Sequence, residues 1–289
     1  MFTNWETPPL VGFTFLNILL FLCVFRIDEK LDDFDNKLIQ KFSSNVFVLK
    51  VHPATIQLYQ SQSQRRRQEL TTLNDTNGWF VLYNTLVPEV VCKDIVRIGS
   101  VLDGGKWVCN LVKLRDFETC TVYSLGINNE PSFEEEFANF THQSCLIRSF
   151  DKDDQNPETL RRIENSNGIF MKAAISSEPN KSTDHYNLRS LMETFNDTKI
   201  DILKIDIEGF EYELIDELTT IPMCQILIEI HGPTAIRTLE LLRKISESGY
   251  YLFSYEINGG YHNLSEYSFI HQSCLEDYEV NIILGKYLS

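Results

Sequence analysis

The string Lys204-Ile205-Asp206-Ile207-Glu208-Gly209-Phe210-Glu211-Tyr212-Glu213 crowds carboxylates where a β-rich run gives way to a helix-like one. Part of that charge complements the positive N-terminus of a helix. Asp206 and Glu208, however, fall at the strand tip, where acids can bind a ligand or steer a proton. A second β-rich run ends Ile228-Glu229-Ile230-His231-Gly232. Alternation along a strand puts Glu229 and His231 on one face. Histidine titrates near neutral pH, so His231 is a candidate general base, with Asp206 and Glu229 in support. Two more strand ends carry telling residues. Ser124-Leu125-Gly126 closes one run, and glycine there lets a ligand approach the backbone. Phe150-Asp151 closes another, where a carboxylate can accept hydrogen bonds from both hydroxyls of a ribose. Each of these residues also has a plain reading: a turn glycine, a capping aspartate, a structural histidine.

These positions need a scaffold that lines up strand ends. From Cys120 onward, β-rich runs alternate with helix-like ones. The strands are expected at Thr121–Leu125, Leu146–Phe150, Ile169–Ile175, Ile200–Ile205, Gln225–Ile230, Tyr250–Glu256 and Tyr267–Ile270. Helices are expected at Ser132–Phe140, Glu211–Leu218 and Thr234–Ser248, the last stopped by Gly249. This alternation specifies an α/β fold, a mostly parallel sheet with helices on both faces. Ligands of such sheets bind beyond the carboxyl ends of the strands, where the residues above sit.

Taken in order, the motifs resemble one family. Asp201 to Glu211, followed by Ile226 to His231, is similar to the FkbM-type methyltransferase motif. Val96-Arg97-Ile98-Gly99, Asp103 to Cys109, Val122 to Ile127 and Glu266 to Ile270 resemble the related animal membrane-anchored methyltransferase-like proteins. The resemblance covers about Trp79 to His271. It implies a Rossmann-like, seven-stranded class I methyltransferase sheet of order 3-2-1-4-5-7-6 with the last strand antiparallel. It implies S-adenosylmethionine as cofactor, with Ser124 and Gly126 lining its methionine part. Asp151 would hold the ribose, the backbone at Ala173 and Ala174 would border the adenine, and Asp206 would face the methyl-transfer region. No metal is required by this scheme. The first loop departs from the family's glycine-rich form, having Gly126 alone before Ile127-Asn128-Asn129-Glu130. The implied sheet order also suggests three disulfides: Cys92–Cys109, Cys120–Cys145 and Cys224–Cys274.

The remaining sequence concerns location. Thr7 to Phe25 holds no charged residue and Arg26 closes the run; that length is at the lower end of a membrane-spanning helix. An uncleaved N-terminal transmembrane anchor is the preferred reading of residues 1–26, a cleaved signal peptide and hence a secreted form the rival. Residues 27–78 read as a stem, with the basic run at Arg65-Arg66-Arg67, and residues 79–289 as the methyltransferase-like domain with an N-terminal extension at 79–119. Five Asn-x-Ser/Thr sequons, at Asn74, Asn139, Asn180, Asn196 and Asn263, follow the apolar run, and the even set of downstream cysteines suits an oxidising compartment. The net charge of -15 argues against nucleic-acid partners. The expected protein is a single-pass enzyme of the Golgi or endoplasmic reticulum, its domain luminal, methylating an oxygen of a small-molecule or glycan acceptor. The alternatives are a catalytically inactive binding protein on the same fold and a type II membrane glycosyltransferase, the latter suggested by the anchor-plus-stem layout.

Overall fold

The computed structural model describes residues 50–289. The expected membrane anchor and the first half of the stem lie outside the described residues. Among the described residues, no helix is long and apolar enough to cross a membrane.

Seven strands form the central sheet. They are preceded by a hairpin, β1 (Ile95–Ile98) and β2 (Lys106–Cys109). The sheet strands are β3 (Thr121–Leu125), β4 (Leu146–Asp151), β5 (Gly168–Lys172), β6 (Ile200–Ile205), β7 (Met223–His231), β8 (Tyr250–Ile257) and β9 (Leu264–His271). Their order is β5-β4-β3-β6-β7-β9-β8, with β9 antiparallel to both neighbours. Counted from β3 this is 3-2-1-4-5-7-6, the order the motifs imply. The central strands are buried on both faces, and so read as nearly continuous apolar runs. All six residues of β6 are buried. Its two charged members are each answered: Asp201 accepts the Thr121 amide at 2.8 Å, and Lys204 donates to the Gly126 carbonyl at 2.7 Å.

Alternation divides the core in two. Tyr123, Leu203, Ile226 and Ile228 face one apolar layer, which includes Leu82 of helix α2 (Gly78–Thr85), Leu188 and Leu191 of α5 (Leu188–Phe195) and Leu242 of α6 (Ala235–Glu247). Val122, Ile202 and Leu227 face the other, which includes Phe133 and Phe137 of α3 (Ser132–Phe140) and Val108 of the hairpin. Helix α4 (Pro157–Asn165) links β4 to β5, and its N-terminus is capped by the Asn156 side chain. Helix α6 begins at the Thr234 cap and ends before Gly249, whose φ of +98° needs glycine.

Two expectations need correction. The strand foreseen over Ile169–Ile175 is split: Ala174–Ile175 leaves the sheet and pairs with His185–Tyr186. The helix foreseen over Glu211–Leu218 is a tight turn at Phe210–Leu214 followed by one turn of helix at Ile215–Leu218. The compact unit spans Val51–Ser289. Helix α1 (Pro53–Leu70) belongs to it, burying Leu70 and donating from Arg66 to the Thr85 carbonyl. Its polar surface hid it, because amphipathic periodicity is what marks a helix in sequence.

The disulfides Cys92–Cys109, Cys120–Cys145 and Cys224–Cys274 are the three pairs expected. Buried Glu89 fastens the C-terminus, accepting the amides of Leu252, Tyr287 and Leu288 at 3.0, 2.8 and 3.2 Å. Glu89→Ala would leave three buried N–H groups unpaired. It should cost about 3 kcal/mol or more, read by calorimetry as a fall of about 10 °C in Tm.

Candidate active site

The strand ends form two adjoining regions along one edge of the sheet. The first spans the tips of β3, β4 and β5. Gly126 has φ +83°, and a Cβ there would lie 1.7 Å from the Asp206 carbonyl oxygen. Its lack of a side chain therefore lets the turn after β3 close onto the turn after β6. Ser124 is fully buried, and its hydroxyl donates to Glu134 of α3. The other oxygen of Glu134 has no partner among the described residues. Asp151 accepts the amides of Ile127 at 2.9 Å, Asn128 at 2.7 Å and Asp153 at 2.9 Å. Asn128 and Asn129 supply the left-handed conformations that glycines give in a richer loop. The Ala173 amide donates to the Asp151 carbonyl and the Ala174 amide to that of Asp184.

The second region lies beyond β6, β7 and β9. Asp206, Glu229 and His231 each place a side-chain ligand atom within 4.8 Å of the others. Sequence reasoning missed the group that organises them. Lys106, the first residue of β2, is fully buried and donates to Asp206 at 3.3 Å and Glu266 at 2.7 Å. Glu266 is opposite Glu229 in the β7–β9 register. His231 lies between two more acids, with Nδ1 3.0 Å from Glu211 and Nε2 3.2 Å from Glu208.

These contacts fix the protonation states. Burial opposes the charge on Lys106, but Glu266, Asp206 and Glu229 outweigh it and hold the ammonium well above the usual lysine range. Burial likewise works against ionised Asp206, and Lys106 and Lys204 overcome it, so Asp206 stays below the ordinary aspartate value. For Glu229, the relief from Lys106 and His231 is outweighed. Burial, with Asp206 and Glu266 alongside, pushes it up to about 8. His231 is raised to about 9: burial disfavours the charged ring, but Glu211 above all stabilises it. At neutral pH the cluster thus holds an imidazolium and a protonated Glu229. An imidazolium has no lone pair to take a proton.

Asp206, Glu229 and His231 could also ligate a cation. The ammonium of Lys106 lies 3.3 Å from Asp206 and 2.7 Å from Glu266. A separate cavity of about 440 Å³ lies at the opposite edge of the sheet, bordered by Phe117, Lys199, Met223 and the Cys224–Cys274 pair.

A family model described as a methyltransferase domain matches residues 42–271. The chain belongs to that methyltransferase family. It is a member of the S-adenosylmethionine-dependent superfamily, and the match takes in helix α1 as well as the sheet. No curated protein matches the chain. Among solved structures, it is similar to the Methanococcus jannaschii fibrillarin pre-rRNA processing protein, with 11% identity, 58% of this chain and 71% of that chain covered, and a TM-score of 0.40. Precorrin-6y C5,15-methyltransferase from Geobacter metallireducens aligns at 15% identity over 56% of this chain and 84% of its own, with a TM-score of 0.35. Aeropyrum pernix fibrillarin, solved with bound S-adenosyl-L-methionine, aligns at 10% identity over 64% and 86%, with a TM-score of 0.31.

The donor chemistry of the methyltransferase's first region fits its cofactor. S-adenosylmethionine offers a ribose diol, an ammonium and a sulfonium, which need acceptors and negative charge. Asp151 keeps one lone-pair site beyond the three amides it accepts, Glu134 has an unpaired oxygen, and Asp206, whose backbone abuts Gly126, is held below the ordinary aspartate value.

Two outcomes test this geometry. Gly126→Ala should separate the β3 and β6 turns and abolish cofactor binding in a calorimetric titration. Lys106→Met removes the cation that lowers Glu229, so carboxyl NMR should show Glu229 titrating above 8.

Proposed function

We propose that the protein transfers a methyl group from S-adenosylmethionine to an oxygen of a small-molecule or glycan acceptor. The observation that carries this is the join at Gly126, where the cofactor-side turn abuts Asp206 and hence the Glu229 base. The cofactor would be held by Asp151 at the ribose, by Glu134 near the methionine ammonium, and by the backbone at Ala173 and Ala174 beside the adenine. When bound it supplies an electrophilic methyl carbon on a sulfonium.

The chain's own residues do the rest. Glu229, once ionised, accepts the proton of the acceptor hydroxyl. Its value of about 8 makes it a stronger base than an ordinary carboxylate, yet one available near physiological pH. Asp206 stays charged and faces the methyl-transfer region. Protonated His231, fixed by Glu211, offsets the charge that appears when Glu229 ionises. Holding acceptor and donor in line provides the remaining acceleration.

The finer identity proposed is the FkbM-related, membrane-anchored animal branch, with residues 8–25 as anchor and the domain in the lumen of the Golgi or endoplasmic reticulum. Three disulfides and five sequons support an oxidising, glycosylating compartment. One observation favours a second reading, a binding protein without turnover: the amides of the first loop are spent on Asp151 rather than left free.

Calorimetry separates these readings. The wild-type chain should bind S-adenosylmethionine, and Asp151→Ala should weaken binding about tenfold or more; no binding by the wild type removes the enzyme reading. With an acceptor in hand, kcat/KM should rise through about pH 8 as Glu229 ionises and fall through about pH 9 as His231 loses its proton. Glu229→Gln should lose the rising limb and about 100-fold or more in kcat.

A further inference from the structure

The turn that joins β1 to β2, residues 99–105, reaches past the end of the sheet. At the far end of β2, the Cys109 amide and carbonyl both bond the side chain of Gln225, near the start of β7, at 2.9 Å. At the near end, Lys106 donates to Asp206 and Glu266. Strand β2 therefore runs against β7, and the turn ahead of Lys106 stands beyond the carboxyl ends of the strands. It is braced on the cofactor side too. The Gly99 amide donates to Glu136 at 2.6 Å and the Ser100 amide to the Ser132 hydroxyl at 2.9 Å, both in α3. A Cβ on Gly104 would lie 3.9 Å from the Glu130 side chain, in the connection after β3. One end of the turn thus touches the first region of the site and the other end the second.

The tip carries Val101 and Leu102. They are 84% and 87% exposed, the two most exposed large apolar side chains among the described residues. The polar groups around them are engaged locally: Arg97 donates to the Ser100 carbonyl, the Ser100 hydroxyl accepts the Leu102 amide at 3.3 Å, and Asp103 accepts the Gly104 amide at 3.0 Å. Apolar residues scattered singly over a surface need no explanation, whereas adjoining ones with a polar rim mark a place where something binds. The second region offers charge: Asp206, Glu229, His231, Glu266 and Lys106. Small-molecule sites combine a few such groups with mostly apolar walls, and this pair stands where a wall would be needed.

We propose that Val101 and Leu102 form the apolar wall of the acceptor site, so that the acceptor carries an alkyl or aryl group beside the hydroxyl that is methylated. The inference rests on the methyl-transfer reading above and narrows its acceptor class. A bare glycan has no group of that kind to set against the pair. An alkyl or aryl group laid on the two side chains removes apolar surface from water on both partners, while its hydroxyl is turned towards the cluster.

The test is methyl ¹³C NMR of the full chain saturated with S-adenosylhomocysteine, titrated with benzyl alcohol and, separately, with methyl β-glucoside. Benzyl alcohol should shift the Val101 and Leu102 methyl resonances saturably, and methyl β-glucoside at the same concentrations should leave them in place. The double variant Val101→Ser, Leu102→Ser alters exposed positions only. It should keep its affinity for S-adenosylhomocysteine and bind benzyl alcohol about tenfold more weakly. Equal binding by the variant, or an equal response to methyl β-glucoside, would overturn the proposal. So would methyl shifts that follow protein concentration alone, which would make the turn a contact between copies of the chain. If the wild type binds neither S-adenosylhomocysteine nor S-adenosylmethionine, the methyl-transfer reading fails and takes the acceptor wall with it; if it binds them and the methyls ignore benzyl alcohol, the wall alone fails.

Discussion

The buried ammonium of Lys106 is the contact on which the site depends. A lone charge in an apolar interior costs far more than a domain's net stability, so it survives only when paired and hydrogen-bonded. Here it touches Asp206 and Glu266, and Glu266 faces Glu229 across the strands. One cation therefore ties the ends of β6, β7 and β9 to a hairpin outside the sheet. It also divides the labour among the acids. Asp206, in contact with the ammonium, stays ionised, while Glu229 is driven towards its neutral form.

A second constraint joins this cluster to the cofactor side. Gly126 permits backbone contact between the turns after β3 and β6, and Lys204 reinforces it by donating to the Gly126 carbonyl. Neighbouring parallel strands already bring these tips together, and the missing Cβ removes the last separation. The glycine-poor loop is then less of a deficit than its sequence suggests. Asn128 and Asn129 adopt the left-handed conformation, while Asp151 gathers the loop's amides. The same bonds commit groups that a ligand would otherwise find free, which is why cofactor affinity is the property to measure first.

Much of the fold was legible because the sheet writes itself as short β-rich runs. The strands follow from runs such as Ile200–Ile205, while their order and the three cysteine pairs are what the likeness of the flanking motifs to the family implies. The site was only half legible. Asp206, Glu229 and His231 could be found because each lies at or within two residues of a strand's end. Lys106 could not, since it stands 100 residues before Asp206 in an extension with no strand-end logic of its own. The setting of His231 was hidden for a related reason. Glu211 looks in sequence like one more acid at a helix start, whereas in the fold it is fully buried against the imidazole. Burial of a partner decides whether a histidine is base or cation, and burial is what local sequence does not reveal.

The central claim is that His231 is the counter-charge and Glu229 the base. Imidazole ¹⁵N NMR of the folded protein, titrated from pH 6 to 10, tests it most directly. The account predicts that both His231 nitrogens carry protons at pH 7.5 and that the ring loses its charge only near pH 9. A neutral His231 ring at pH 7.5 would contradict it and return the histidine to the role of base.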